Sequence, residues 1–233
     1  MAGGLGAGEF FLLYQPVIDM VSGRLTGFEA LIRWQRPGHG LVAPDAFIPV
    51  AEQSSLIRDL DCWVLGEATR QLARWRADQG TAEGAEGLTV AVNLSGRHLA
   101  DPRVVADVTG ALEAAGLPSS ALVLEVTETV LVSTPTALAQ LDLLKALGVG
   151  VAIDDFGTGY TSIGQLRSIP VDTVKIDRSF VAATDAASHS LVTLMIEVYP
   201  VPKSSMATPT PRPFSRSSWA SAVGVLTLSL IHI

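Results

Sequence analysis

The chain has 233 residues, of which 48% are hydrophobic and 17% are charged, and these values are typical of a globular protein. Its formal net charge of -7 argues against a protein that binds a DNA or RNA polymer, because such proteins carry a basic stripe. A single cysteine excludes an internal disulfide, and the first residues lack the basic and then apolar order of a signal peptide. We therefore expect a cytoplasmic protein, with Cys62 as a small buried apolar residue on a helix.

Strand-like apolar runs alternate with helical patterns along most of the chain. Residues 10–19 and 25–34 predict two strands that pair antiparallel, because only a short turn joins them. A loop rich in proline and glycine is predicted at 36–44, before helices at 46–53 and 59–78. Further strands are predicted at 88–95, 122–128, 149–155 and 173–181, with helices at 103–115, 135–147, 162–167 and 186–197. Such repeating units imply parallel strands that are buried on both faces.

Polar residues lie within the predicted apolar strands or at their ends. They are Glu29, Asn93, Glu125 with Glu128, the pair Asp154 and Asp155, and Lys175. Side chains alternate along a strand, and the polar residues within the strands fall on the face opposite the aliphatic residues that would lie under helices. Functional residues on at least five strands favour an α/β barrel, where the carboxyl ends of many strands converge on one face. The four histidines show no ligand spacing, so none is assigned to a metal.

Carboxylates inside apolar runs are unfavourable unless another charge compensates them. A pair of divalent metal ions would provide that compensation, so the pattern indicates metal-assisted hydrolysis of a phosphate ester.

The ordered series of motifs resembles the EAL-domain cyclic-di-GMP phosphodiesterases from about residue 11 to about residue 198. The signature is Glu29-Ala30-Leu31, and the series continues in the runs at 14–16, 32–34, 47–52, 92–95, 125–128, 154–160 and 175–177. The resemblance implies a (β/α)8-like TIM barrel with an antiparallel first strand over residues 10–198, incomplete at its C-terminus, after a leader at 1–9. It also implies cyclic di-GMP as the ligand, and it leaves open a homodimer and attached sensory or GGDEF domains.

The resemblance further implies two Mg²⁺ or Mn²⁺ ions and hydrolysis of cyclic di-GMP to linear pGpG in bacterial second-messenger signalling. By the same resemblance, Glu29, Asn93, Glu125 and Asp154 would hold the first ion, while Asp154 and Asp155 would bind the second. Lys175 would orient the attacking water or help to deprotonate it, which makes a catalytic set of Lys175, Glu29, Asp154 and Asp155.

Four further residues take roles from the same family. Gln15 and Leu31 would line the nucleotide and Arg33 would face a phosphate. Glu128 would anchor the glycine-rich loop at 156–162, which governs the metal site in the family.

Residues 199–233 depart from the family, since they hold five prolines, no acidic residue and no βα periodicity. We expect a non-family tail that is disordered or arises from a shifted reading frame. Two family motifs are absent from the sequence: Ala-Glu-Gly-Val-Glu, whose first glutamate serves the second metal, and Gln-Gly-Tyr near the nucleotide. The chain as written is therefore expected to have weak activity or none, and a catalytically inactive module that binds cyclic di-GMP as a sensor is the alternative.

Overall fold

The computed structural model describes residues 1–19, 22–79, 87–156 and 171–176. Its strands are β1 (Phe10–Ile18), β2 (Leu25–Arg36), β3 (Gly40–Val42), β4 (Thr89–Asn93), β5 (Leu122–Thr127), β6 (Gly150–Phe156) and β7 (Thr173–Ile176). Its α-helices are α1 (Ala2–Gly6), α2 (Pro44–Glu52), α3 (Leu56–Gln79), α4 (Gly96–Leu99), α5 (Val104–Ala115), α6 (Glu128–Ser133) and α7 (Pro135–Ala146). None of these helices combines the length and the hydropathy needed to cross a membrane. The helices predicted at 162–167 and 186–197 and the tail at 199–233 lie outside the described residues.

One sheet joins all seven strands in the order β1-β2-β4-β5-β6-β7, with β3 paired to β2. Strand β2 pairs antiparallel with β1 and β3, whereas the pairs β2–β4, β4–β5, β5–β6 and β6–β7 are parallel. From β2 to β7 each parallel strand therefore lies beside the next one in the sequence, with no reversal of strand order. This arrangement confirms the α/β fold with a mostly parallel sheet and an antiparallel first strand.

The main hydrophobic core lies between the outer face of the sheet and the helices. Val90 and Val92 of β4 and Ile153 of β6 are fully buried there, against apolar residues of α3, α5 and α7. On β2 the ring of Phe28 contacts Trp75 of α3, with 4.2 Å between the ring centroids. Because side chains alternate along each strand, the residues between these aliphatic positions face the other side of the sheet.

The structure corrects the loop predicted at 36–44. There, β2 and β3 form a hairpin in which Trp34 lies opposite Val42 and Arg36 lies opposite Gly40. Gly38 and Gly40 have φ angles of 73° and 74°, which glycine adopts without steric penalty, and they allow the chain to reverse. The proline and glycine signal was therefore correct for the turn but concealed the short strand after it.

The segment 1–9, expected as a leader, contains α1 and contacts the rest of the molecule. Met1 and Leu5 pack against a second buried cluster that includes Phe10 and Trp34. The indole Nε1 of Trp34 donates a hydrogen bond of 2.8 Å to Glu9 Oε2. These contacts make the segment part of the folded unit.

Candidate metal centre

Five neighbouring strands each place one polar residue on the inner face of the sheet. Glu29 lies on β2, Asn93 ends β4, Glu125 lies on β5, Asp154 on β6 and Lys175 on β7. The register places Asn93 directly opposite Glu125, and Thr127 opposite Asp154. The parallel pairing of these strands therefore brings residues far apart in the sequence to one place.

Hydrogen bonds and ion pairs connect all five side chains. The ammonium Nζ of Lys175 lies 2.8 Å from Glu125 Oε2, 3.2 Å from Glu29 Oε2 and 3.2 Å from Asp154 Oδ1. The amide Nδ2 of Asn93 donates to Glu29 Oε1 and to Glu125 Oε2, both at 3.2 Å. The structure thus brings together five of the residues predicted for the site.

The electrostatics of the cluster are dominated by buried negative charge. Glu29 and Glu125 are 8% and 4% exposed. Burial, and then the nearby charge of Glu29, raises the pKa of Glu125 to about 8. Burial by itself would lower the pKa of Lys175, but the carboxylates of Glu125, Glu29 and Asp154 outweigh it and raise that pKa. The protein therefore holds more negative charge here than its own lysine neutralises.

The cluster has the chemistry of a divalent cation site. One carboxylate oxygen from each of Glu29, Glu125 and Asp154 lies within 4.8 Å of the others. Three carboxylates and one ammonium leave two negative charges uncompensated when all are ionised. Carboxylate and amide oxygens are the ligands that Mg²⁺ and Mn²⁺ prefer, so the residues fit such an ion.

The predicted nucleotide residues lie beside this cluster on β1 and β2. Gln15 is directly opposite Glu29 in the strand register, while Leu31 and Arg33 follow Glu29 on the same face of β2. All three are partly buried, and Arg33 Nη1 donates to the backbone oxygen of Ile32 at 2.8 Å. Their contact with a nucleotide stays a prediction.

The predicted roles of Asp155 and Glu128 involve parts of the chain that the structure does not describe. Asp155 lies on β6 next to Asp154, but its side chain lies outside the described part of the structure, so its metal role stays a prediction. Glu128 is 5% exposed and begins α6. The loop that Glu128 would anchor falls mainly in 157–170, which is also outside the described ranges.

A cavity of about 300 Å³ lies on the other side of the charged cluster, toward the amino-terminal ends of the strands. Its lining includes residues near the strand starts and two residues of the site: Thr26, Thr89, Val123, Thr173, Glu125 and Lys175. In α/β barrels the carboxyl ends of the strands form the reactive face. We therefore assign this cavity to the space enclosed by the inner face of the sheet and not to a substrate.

Asp61 supports the segment that carries Asn93, and its role was not predicted from the sequence. Asp61 on α3 is 5% exposed, and its Oδ2 accepts hydrogen bonds from the backbone nitrogen of Ser95 at 3.2 Å and from Ser95 Oγ at 2.6 Å. Ser95 in turn caps α4, because its Oγ accepts from the backbone nitrogen of His98. An acidic residue between the buried residues of α3 was the available signal.

Cys62 also differs from its prediction. It is only partly buried, and its sulfur belongs to a polar group with His98 and Asp107. The prediction failed because these neighbours come from other helices and are not visible in the sequence around Cys62.

The sequence of this chain matches one protein family and several curated proteins. The family model described as the EAL domain matches residues 2–199. The cyclic di-GMP phosphodiesterase PA2567 of Pseudomonas aeruginosa is 42% identical over 173 residues, which are 73% of this chain and 28% of that protein. The bifunctional diguanylate cyclase/cyclic di-GMP phosphodiesterase MucR of the same organism is 41% identical over 191 residues, or 81% of this chain and 27% of that protein. The chain spans less than a third of the length of the curated relatives that it matches.

The fold of this chain is similar to that of a solved structure. The PaMucR phosphodiesterase in complex with c-di-GMP matches with a TM-score of 0.76 at 39% identity. The match covers 84% of this chain and 79% of that chain. This likeness confirms the barrel-like α/β fold that the sequence predicts.

Proposed function

The chain belongs to the EAL domain family, and we propose that its strand-end site binds cyclic di-GMP and hydrolyses one phosphodiester bond to give pGpG. The observation that carries the proposal is the convergence of Glu29, Asn93, Glu125, Asp154 and Lys175 from five strands. The names of the relatives and the nucleotide in the PaMucR complex support this choice of substrate.

Two divalent ions would complete the site. Glu29, Asn93, Glu125 and Asp154 would hold the first Mg²⁺ or Mn²⁺, and Asp154 and Asp155 would hold the second. When bound, such ions supply charge stabilisation at a phosphodiester and a reactive water at neutral pH. The amide of Asn93 now presents Nδ2 to the carboxylates, so it would turn its oxygen toward an ion.

The remaining residues would position the reactants. Lys175 lies within 3.2 Å of three carboxylates that raise its pKa, so its Nζ stays protonated. It would orient the attacking water, or help to deprotonate it through its positive charge and not as a general base. Arg33 would give up its bond to the Ile32 carbonyl and bind a phosphate oxygen of the nucleotide. Gln15 and Leu31, on the same inner face, would contact the guanine nucleotide.

A sensor that binds cyclic di-GMP without cleaving it is the second candidate. One observation favours it: the sequence lacks the Ala-Glu-Gly-Val-Glu motif whose first glutamate would serve the second ion. We therefore expect slow cleavage by this chain, and the assay must be able to detect a single turnover.

The test is cleavage of cyclic di-GMP with the protein in excess, in the presence of Mn²⁺ or Mg²⁺, with pGpG separated by chromatography. We expect the unmodified chain to form pGpG and Glu125→Gln to lower the rate constant by about 100-fold or more, because a metal ligand is lost. Glu113→Gln is the matched control. It makes the same chemical change at an exposed position on α5, away from the site.

Nucleotide binding is measured in parallel with a fluorescent analogue of cyclic di-GMP. Binding without any pGpG after long incubation would select the sensor. Neither binding nor cleavage, in a protein with a cooperative unfolding transition, would contradict both candidates.

A further inference from the structure

A second group of metal-ligating side chains lies among the helices, away from the strand-end site. It consists of Cys62 on α3, His98 on α4 and Asp107 on α5, which we call the helical triad. One ligand atom from each residue lies within 4.8 Å of the other two. His98 Nε2 lies 3.0 Å from Asp107 Oδ2.

We propose that the helical triad binds a divalent cation with affinity for sulfur and nitrogen ligands, of which Zn²⁺ is the best match. Thiolate sulfur, imidazole nitrogen and carboxylate oxygen are the three ligand types that Zn²⁺ takes in proteins. At Zn–ligand distances of about 2.0–2.3 Å, tetrahedral ligands lie about 3.3–3.8 Å from one another. The ligand atoms of the triad lie within 4.8 Å of one another, so they must come closer together by about 1 Å or less to fit the upper end of this range.

The surroundings of His98 support this assignment. Its side chain is 0% exposed, and its Nδ1 lies 3.3 Å from Asp61 Oδ2 without forming a well-aligned hydrogen bond. An ion on Nε2 would leave the imidazole proton on Nδ1, where it faces Asp61. This is the arrangement in which a carboxylate orients a metal-bound histidine. Asp61 itself is held in place by Ser95.

Arg58 fixes the third ligand and completes the charge balance. Its Nε donates to Asp107 Oδ2 at 2.9 Å, and its Nη2 donates to Asp107 Oδ1 at 2.7 Å. With Zn²⁺ bound, the thiol proton of Cys62 and the Nε2 proton of His98 pass to solvent, which leaves a thiolate and a neutral imidazole. The ion and Arg58 then carry three positive charges, which match the negative charges of Asp61, Asp107 and the thiolate. A divalent ion therefore enters the triad without leaving a net charge.

The position of the triad also leaves access for the ion. Cys62 is partly buried and the side chain of Asp107 is 17% exposed, so a water can occupy the fourth position of a tetrahedral site. The bound ion would link α3 to α4 and α5. A cluster held together by ion pairs alone, with no affinity for metal, is the alternative outcome.

The single cysteine of the chain makes the test specific, because any thiolate–metal signal must come from Cys62. Co²⁺ is titrated into the protein, and the near-ultraviolet absorption of a thiolate–cobalt bond is followed. We expect about one equivalent of this signal in the unmodified protein, its loss in Cys62→Ser, and its displacement by Zn²⁺. Glu125→Gln, which alters only the strand-end site, should retain the signal.

His98→Gln is expected to weaken Co²⁺ binding at least tenfold, and Asp107→Asn should do the same. The absence of a thiolate–cobalt signal in the unmodified protein would overturn the proposal. So would a signal that neither His98→Gln nor Asp107→Asn changes.

A measurement on the unmodified protein keeps the test decisive if these variants do not fold. Alkylation of Cys62 by iodoacetamide is timed with and without Zn²⁺. Slower alkylation with Zn²⁺, reversed by a chelator, supports the site. Equal rates would overturn it.

Discussion

At the residue scale, the balance of charge around Lys175 explains why the strand-end site should prefer a divalent ion. Lys175 is 13% exposed and forms ion pairs with Glu29, Glu125 and Asp154. Breaking a buried ion pair by removing one partner is strongly destabilising, because the other charge is left without compensation. A bound ion would supply the same compensation, so the lysine and the ion should partly replace each other.

Lys175→Met tests this exchange of charge. We expect the variant to lose about 3 kcal/mol of unfolding free energy in the presence of a chelator, and clearly less in excess Mn²⁺. Urea unfolding under the two conditions measures the difference. Lys145→Met is the matched control: Lys145 pairs with Asp172 near the surface, where such a pair contributes about 1 kcal/mol or less whatever the metal. An equal loss for Lys175→Met with and without Mn²⁺ would contradict this account.

The protonation of His98 is expected to make the stability of the protein depend on pH. Burial alone would lower its pKa, but the carboxylates of Asp61 and Asp107 outweigh burial and raise the pKa above its ordinary value. The folded state therefore holds a proton on His98 that the unfolded state releases at about pH 6.5. The stabilisation is fully present below that pH and is lost as the pH rises through the higher pKa of the folded protein.

Urea unfolding in a chelator, from about pH 6 to about pH 9, checks this sign. The unfolding free energy of the unmodified protein should fall with pH relative to that of His98→Gln, which has no proton to lose. Arg58, which also faces Asp107, stays charged throughout this range. A constant difference between the two proteins would show that His98 keeps one protonation state.

The site residues differ in how far the sequence could predict them. Glu29, Glu125 and Lys175 were predictable because the alternation of side chains along a strand fixes the face on which each lies. The distances between them depend on strand register, which the sequence alone does not specify. The grouping of Cys62 with His98 and Asp107 was not predictable, because it forms only when three separate helices pack together.

At the element scale, the contact between β2 and β4 depends on a close backbone approach. Gly27 of β2 lies opposite Thr89 of β4. A Cβ atom at Gly27 would lie 2.5 Å from the backbone oxygen of Thr89, a distance that forces the two strands apart. Only glycine fits this position without moving the backbone that aligns Glu29 with its neighbours.

Gly27→Ala is therefore expected to lower the unfolding free energy by about 1–3 kcal/mol. Gly110→Ala makes the same chemical change in α5, where a Cβ would meet nothing within 4 Å. It should stabilise the protein by about 0.5–1 kcal/mol, because alanine favours a helix. Chemical denaturation of both variants gives the comparison, and a stabilising Gly27→Ala would refute the proposed clash.

Long elements were predictable from the sequence and short ones were not. The strands at 10–19 and 25–34 and the helix at 59–78 have many residues in phase, so their periodicity is clear. In contrast, α4 has four residues and depends on the cap that Ser95 supplies. The three residues of β3 depend on pairing with β2, and α1 lies against the second apolar cluster. Tertiary contacts, more than local preference, define these elements.

At the scale of the whole molecule, the net charge of -7 opposes the binding of an anionic nucleotide. Bound divalent ions would reverse the sign of the potential at the site. We expect Mn²⁺ to tighten the binding of a fluorescent cyclic di-GMP analogue by about tenfold or more relative to a chelator at low salt. Equal affinity under the two conditions would mean that the protein binds the nucleotide without a metal.

Anomalous diffraction from crystals grown with Mn²⁺ and cyclic di-GMP is the sharpest test of the proposed metal centre of Glu29, Asn93, Glu125 and Asp154. We expect an anomalous peak within about 2.5 Å of oxygen atoms from these four residues, with Lys175 displaced from the carboxylates. Density without Mn²⁺ at this position, with Lys175 still bridging Glu29, Glu125 and Asp154, would contradict it.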